Sequence, residues 1–164
     1  GLNLKWLAVG KYYENQKDEQ KLLEKNGKLF LSKNRVEAIT QAENENYEIA
    51  DLISKISPYI RFIGVIGKTG ELLAYYRRED LAPLLDQKKT QYQFAQIAIK
   101  TELEEQFDDQ LGDTEFVWEE RTKVQTIAFT ISSKRIWITI DRNVIRSEML
   151  RIIDACLPIV KRYS

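Results

Sequence analysis

Histidine is absent from the 164 residues, and cysteine occurs once, at Cys156. The first absence removes the usual acid–base side chain near neutral pH and the commonest metal ligand. Together the two exclude zinc sites and Ser-His or Cys-His nucleophilic schemes. Carboxylate chemistry and oxygen-ligated magnesium or calcium remain open, so an enzyme becomes the minority reading. A lone cysteine closes no internal disulfide and suits a reducing compartment. Set among the apolar residues of RIIDACLPIV, it reads as a buried, inert thiol. No run approaches the ~18 apolar residues of a membrane helix. The early LKWLAVG is too short and too poorly flanked for a signal peptide. An excess of one charge sign is missing too: Lys plus Arg and Asp plus Glu stand at 25 each. That balance argues against nucleic acid or an anionic membrane as the default partner. A soluble cytoplasmic protein without a cofactor is expected.

The most informative stretch is Tyr59 to Arg77, YIRFIGVIGKTGELLAYYR. Ile60–Ile66 and Leu72–Tyr76 read as strands, and Gly67-Lys68-Thr69-Gly70 between them suits a hairpin with a longer loop. Phe62, Gly64 and Ile66 share one face of the first strand, and Ile63 and Val65 share the other. A strand apolar on both faces belongs inside a sheet covered by helices on each side.

Around the hairpin the elements follow in order. Apolar residues at helical spacing run through Tyr47, Ala50, Ile53 and Ile56, and Ser57-Pro58 ends that helix. A long helix is expected from about Pro83 to Leu111, with Leu84, Tyr92, Ala95, Ile99, Leu103, Phe107 and Leu111 on one stripe. Phe94, Ile97 and Ala98 widen it, and Gly112 follows the C-cap. Strands at Thr114–Arg121, Val124–Ile131 and Arg135–Ile140 have links short enough for an antiparallel meander. A last helix spans about Arg146 to Arg162, with Pro158 expected to kink it or end it early. The order from residue 44 is α-β-β-α-β-β-β-α: an α+β domain with a five-stranded antiparallel sheet and helices on both faces. Residues 1–43 form a separate N-terminal extension. Leu4, Leu7, Ala8, Tyr12, Leu22 and Leu23 suggest a short helical pair there, with a stop at Asn26-Gly27. There are no repeats and no low-complexity tract.

This pattern resembles the Roadblock / dynein light chain superfamily, and within it small archaeal Roadblock-like proteins of unknown function. The residues carrying the likeness are Ile60-Arg61-Phe62-Ile63-Gly64-Val65-Ile66 and Gly70-Glu71-Leu72-Leu73-Ala74. Phe107-Asp108-Asp109-Gln110-Leu111-Gly112 at the end of the long helix and Glu120-Arg121-Thr122-Lys123 at a strand exit extend it. It covers roughly residues 47–160. The resemblance implies a non-enzymatic module that homodimerises and acts as a scaffold or a small-GTPase regulator. The dimer interface it implies lies on the long helix and the strand after it: Tyr92, Ile99, Leu103, Phe116, Val117 and Trp118. An edge strand carrying Phe116, Val117 and Trp118 aggregates unless it is paired, and a two-fold partner would pair it.

Other constellations compete with this reading. Gly67-Lys68-Thr69 has the ending of a phosphate-binding loop, but position 62 is Phe where that motif needs Gly, and a strand follows where a helix should open. Glu102, Glu104, Glu105, Asp108, Asp109 and Asp113 lack EF-hand spacing and read as a solvated helix face. Arg77, Arg78, Arg142, Arg146 and Arg151 scatter over three elements and read as surface charge. Tyr75, Tyr76, Trp118 and Trp137 read as core or interface packing rather than a pocket lining. Two alternatives remain. One is a small-molecule sensor of the profilin, PAS or GAF kind, with its ligand between the sheet and the long helix. The other is a DNA-binding regulator using a helix-turn-helix near Leu22–Ile39. The first forty-two residues carry eight basic and five acidic side chains, but Leu29-Phe30-Leu31 and the scarcity of arginine weigh against it.

Overall fold

A computed structural model describes residues 41–164, so the N-terminal helical pair and the helix-turn-helix reading lie outside the described residues. The elements are α1 (Gln41–Ser54), β1 (Ile60–Ile66), β2 (Leu72–Arg77), α2 (Gln87–Glu105), α3 (Asp108–Leu111), β3 (Phe116–Glu120), β4 (Val124–Ile131), β5 (Lys134–Asp141) and α4 (Arg146–Arg162). The five strands form one antiparallel sheet in the order β2-β1-β5-β4-β3. The order is the expected one, with the single turn α3 added.

Two helix boundaries differ from expectation. The long helix starts at Gln87 rather than near Pro83, because the Asp86 carboxylate accepts from the Lys89 amide at 2.8 Å and caps it. It stops at Glu105 because the amides of Gln106 and Phe107 turn to carbonyls three residues back, Leu103 and Glu104. The last helix runs on through Pro158 to Arg162. Pro158 costs that helix one hydrogen bond, and the apolar residues on either side, Cys156 and Val160, are both buried in the core.

The sheet divides the molecule into unequal halves. Along β4 and β5, Ile127, Phe129, Ile131, Ile136, Ile138 and Ile140 point to one face. There they meet Ile49, Ala50 and Ile53 of α1 and Met149, Ile152, Ile153 and Cys156 of α4. On the opposite face α2 contributes only Phe94 and Ile97 to a small cluster with Ile66, flanked by Phe62, Leu72 and Trp137. The hairpin loop closes against this helix. Gly70 has φ +89°, and a Cβ there would sit 3.1 Å from the Phe94 carbonyl oxygen, so only glycine permits both the turn and the approach.

The Gly67–Gly70 loop is a hairpin turn. Gly67 donates to the Glu71 carbonyl at 2.8 Å, and the Glu71 carboxylate accepts from the Thr69 amide at 3.1 Å and from the Thr69 hydroxyl. A carboxylate therefore occupies the loop that a phosphate would need.

Candidate functional site

Two features of the thinner face stand out, and the register of the sheet builds both. The first is an exposed apolar surface. Tyr92, Ile99 and Leu103 project from α2 with 65%, 55% and 60% of their surface exposed. Their spacing of seven and four places them on one side of the helix, away from buried Phe94 and Ile97. Leu84, Phe107 and Leu111 are exposed as well. The apolar stripe visible in the sequence is thus the outer face of α2, while the residues that seemed only to widen it hold the helix down.

Among the described residues β3 is an edge strand, paired through β4 alone. Its three apolar residues separate by alternation. Phe116 and Trp118 pack on the larger core; the Phe116 ring lies 6.2 Å from that of Phe129, and the Trp118 indole donates to the Gln125 side chain at 3.1 Å. Val117 turns to the α2 face and is exposed. Four of the six residues named from the sequence, Tyr92, Ile99, Leu103 and Val117, are therefore open to a partner. Phe116 and Trp118 are half-buried.

The second feature is a cleft of about 170 Å³ between the sheet, the first turns of α2 and the 81–85 segment. One lateral row of the sheet forms its floor. Arg77 of β2 stands opposite Phe62 of β1, Phe62 opposite Thr139 of β5, Thr139 opposite Thr126 of β4, and Thr126 opposite Glu119 of β3. All five line the cleft. A bulge in β1 adds a sixth: two steps from Ile60 to Phe62 match one step from Ile140 to Thr139. Ile60 therefore faces the large core while Arg61 and Phe62 both line the cleft. In the neighbouring row Gly64 makes room for the Phe62 ring, since a Cβ there would lie 2.9 Å from it. Phe62, Phe94 and Trp137 form a ring trio with centroids 6.0 to 6.4 Å apart.

The charges here are mostly paired. Arg61 and Arg78 share Asp141, each at 3.0 Å. The Arg78 guanidinium is held above its usual range by its hydrogen bond to Asp141. Arg121 meets Glu119 at 3.2 Å. Among the described residues Arg77 has no carboxylate partner. Beyond the cleft, Arg135 is 5% exposed and reaches Glu104 of α2 at 2.9 Å, with the Thr130 hydroxyl at 2.6 Å. Glu104 thus belongs to an ion pair tying α2 to β5, and no group of acidic side chains suited to a metal occurs among the described residues. Cys156 is fully buried, and burial pushes its thiol up to about 12. Of the five arginines noticed in the sequence, Arg77 alone lines the cleft. Arg61 and Arg121, named from the sequence only within the family likeness, also line it; their convergence depends on a bulge and a strand register.

No family model matches the sequence. A tetraacyldisaccharide 4'-kinase of Pelagibacter ubique (strain HTCC1062) is 46% identical over 48 residues, which is 29% of this chain. The chain spans only 15% of that relative's length. Solved structures match far more of it. Gliding protein MglB from Thermus thermophilus aligns over 75% of this chain and 93% of its own at a TM-score of 0.53 and 12% identity. Myxococcus xanthus MglB aligns over 82% and 94%, with a TM-score of 0.55 and 14% identity. A Roadblock/LC7 domain from Streptomyces avermitilis aligns over 71% and 95%, at 0.51 and 12%. The archaeal likeness drawn from the sequence is not carried by these three. At such identities the likeness concerns architecture, and the conclusion is that this chain has the Roadblock/LC7 fold.

Proposed function

We propose that this protein is a non-enzymatic, homodimeric Roadblock-like module that serves as a scaffold or a regulator of a small GTPase. The observation carrying the proposal is the exposed row Tyr92, Ile99 and Leu103 on α2, together with the open edge of β3. Large apolar side chains in a contiguous exposed row mark an interaction surface, and an edge strand seeks a partner. A second copy related by a two-fold axis supplies both, with α2 against α2 and β3 against β3. In that arrangement Val117 sits at the seam, while Phe116 and Trp118 stiffen the strand from behind. The fold shared with MglB, one form of which is described as having a tetrameric arrangement, supports an assembling role. The same reading puts the protein in the cytoplasm, where small GTPases act; among the described residues no helix is long and apolar enough to cross a membrane.

Solution mass by light scattering tests the reading. The wild type is expected at twice the chain mass at micromolar concentration, and Val117→Lys and Ile99→Lys as folded monomers. A monomeric wild type would overturn it.

A further inference from the structure

The cleft floored by the Arg77–Phe62–Thr139–Thr126–Glu119 row meets the pairing just described only at Glu119 of β3. We propose that it binds a small organic anion, a carboxylate on an apolar body about one ring in size. The proposal does not rest on the dimer, since every lining residue comes from one chain.

Size sets the first limit. An apolar protein cavity of ~150 Å³ accepts benzene, so the roughly 170 Å³ here holds one ring or a branched aliphatic group. Drug-sized and nucleotide-sized ligands occupy about 300 Å³ or more. The walls set the second limit. Phe62, Phe94 and Trp137 offer ring faces and edges, and the 81–85 segment with Leu81, Pro83 and Leu85 covers them. The buried threonines of the floor row, Thr126 and Thr139, supply hydroxyls beside an otherwise apolar surface.

Charge then selects the headgroup. Three cations and one anion line the cleft: Arg61, Arg77, Arg121 and Glu119. Asp141 neutralises Arg61 and Glu119 neutralises Arg121, which leaves Arg77. As the register partner of Phe62, Arg77 projects on the same side of the sheet as the ring trio. Its guanidinium presents a planar fork that matches a carboxylate. Glu119 does not cancel it, because four strand spacings of about 4.8 Å separate the two ends of the row. The β1 bulge belongs to the same design, since it adds Arg61 to the wall beside Phe62 at the cost of one regular pair.

Phenylacetate is the probe, with phenylacetamide as its uncharged counterpart, and the Trp137 indole N–H cross-peak in a nitrogen-correlated NMR spectrum is the readout. Trp137→Phe assigns that peak among the three tryptophans. Phenylacetate is expected to move it saturably at millimolar concentration, with phenylacetamide binding more weakly. Arg77→Gln should weaken phenylacetate about tenfold and leave the amide unchanged, the loss of one charge-assisted contact. Val124→Trp fills the cleft from β4 and should abolish binding with Arg77 intact. The absence of a saturable shift overturns the proposal. So does equal binding of acid and amide, an Arg77→Gln variant that binds as well as wild type, or binding that survives Val124→Trp.

Discussion

The two faces of the sheet are built from the same five strands yet use opposite chemistry. On the α1/α4 face, β4 and β5 present isoleucines and a phenylalanine, and two helices bury them completely. On the α2 face the same strands present Thr126, Ala128, Thr130, Arg135, Trp137 and Thr139; among the described residues one helix lies over this face, its Phe94 and Ile97 packing with Trp137 and its Glu104 pairing with Arg135. Apolar burial contributes roughly 25 cal/mol per Å², so the first face carries most of the folding free energy. The second is left with open surface, a cleft and an ion pair in place of a continuous core. Under the proposed function stability and interaction lie on opposite sides of one sheet, and a substitution should report which side it strikes.

The largest effect is expected from Phe129→Ala. This fully buried ring lies in the centre of the thick face, and its loss should cost about 3–5 kcal/mol. Ile97→Ala, on the thin face, should fall at the low end of the aliphatic range, about 2 kcal/mol. Cys156 supplies the readout. Its thiol is held well above its ordinary value of 9.0 by burial, so at pH 8 a thiol reagent reacts only through opened molecules. Labelling of Phe129→Ala should be far faster than that of Ile97→Ala in native buffer. Equal rates would mean that the two faces open as one unit.

A smaller effect is expected from Glu104→Leu. Arg135 is left buried without its partner, and because Glu104 is itself partly exposed, water can return to the site. About 1–3 kcal/mol should be lost. Hydrogen exchange should place the loss in α2 rather than in α1 or α4; a uniform loss would make the ion pair a feature of the whole fold.

The smallest effect concerns the acid limb on the thick side. Hydrogen bonds from Arg146 and Arg151 hold the Glu120 and Glu148 carboxyls below their ordinary 4.5. Folded values below unfolded ones give stability that is present above that value and fades as the pH falls through the lowered ones. Both pairs are exposed to water, so the contribution is small. Arg146→Gln should flatten the decline in Tm below pH 4.5 and leave Tm at pH 7 nearly unchanged. An unchanged decline would show that Glu120 is held by something other than Arg146.

Much of this architecture is written in local pattern. β1 and β4 occupy the ranges that alternation and glycine punctuation assign to them, and α4 covers the range that helical spacing assigns. Gly112 follows the turn α3 with φ +80°. Where local reading stopped short, a tertiary contact or a competing backbone bond decided the matter. Asp86 started α2 late, and core packing carried α4 through Pro158. Tyr92, Ile99, Leu103 and Val117, expected from the sequence at a dimer interface, are exposed; helix and strand periodicity, a short-range property, had grouped them.

The sequence by itself determined the element types, their order, the two-sided covering of β1 and the chemistry ruled out by missing histidine. Those follow from side-chain spacing along a few turns or strands and from composition. Tertiary structure alone decided which side of α2 is buried, since two apolar stripes compete on that helix and only the sheet selects between them. It alone assembled the cleft. Arg61, Arg77, Phe62, Trp137 and Thr139 come from three strands, and they meet because register and the bulge between Ile60 and Phe62 set where each strand lies against the next.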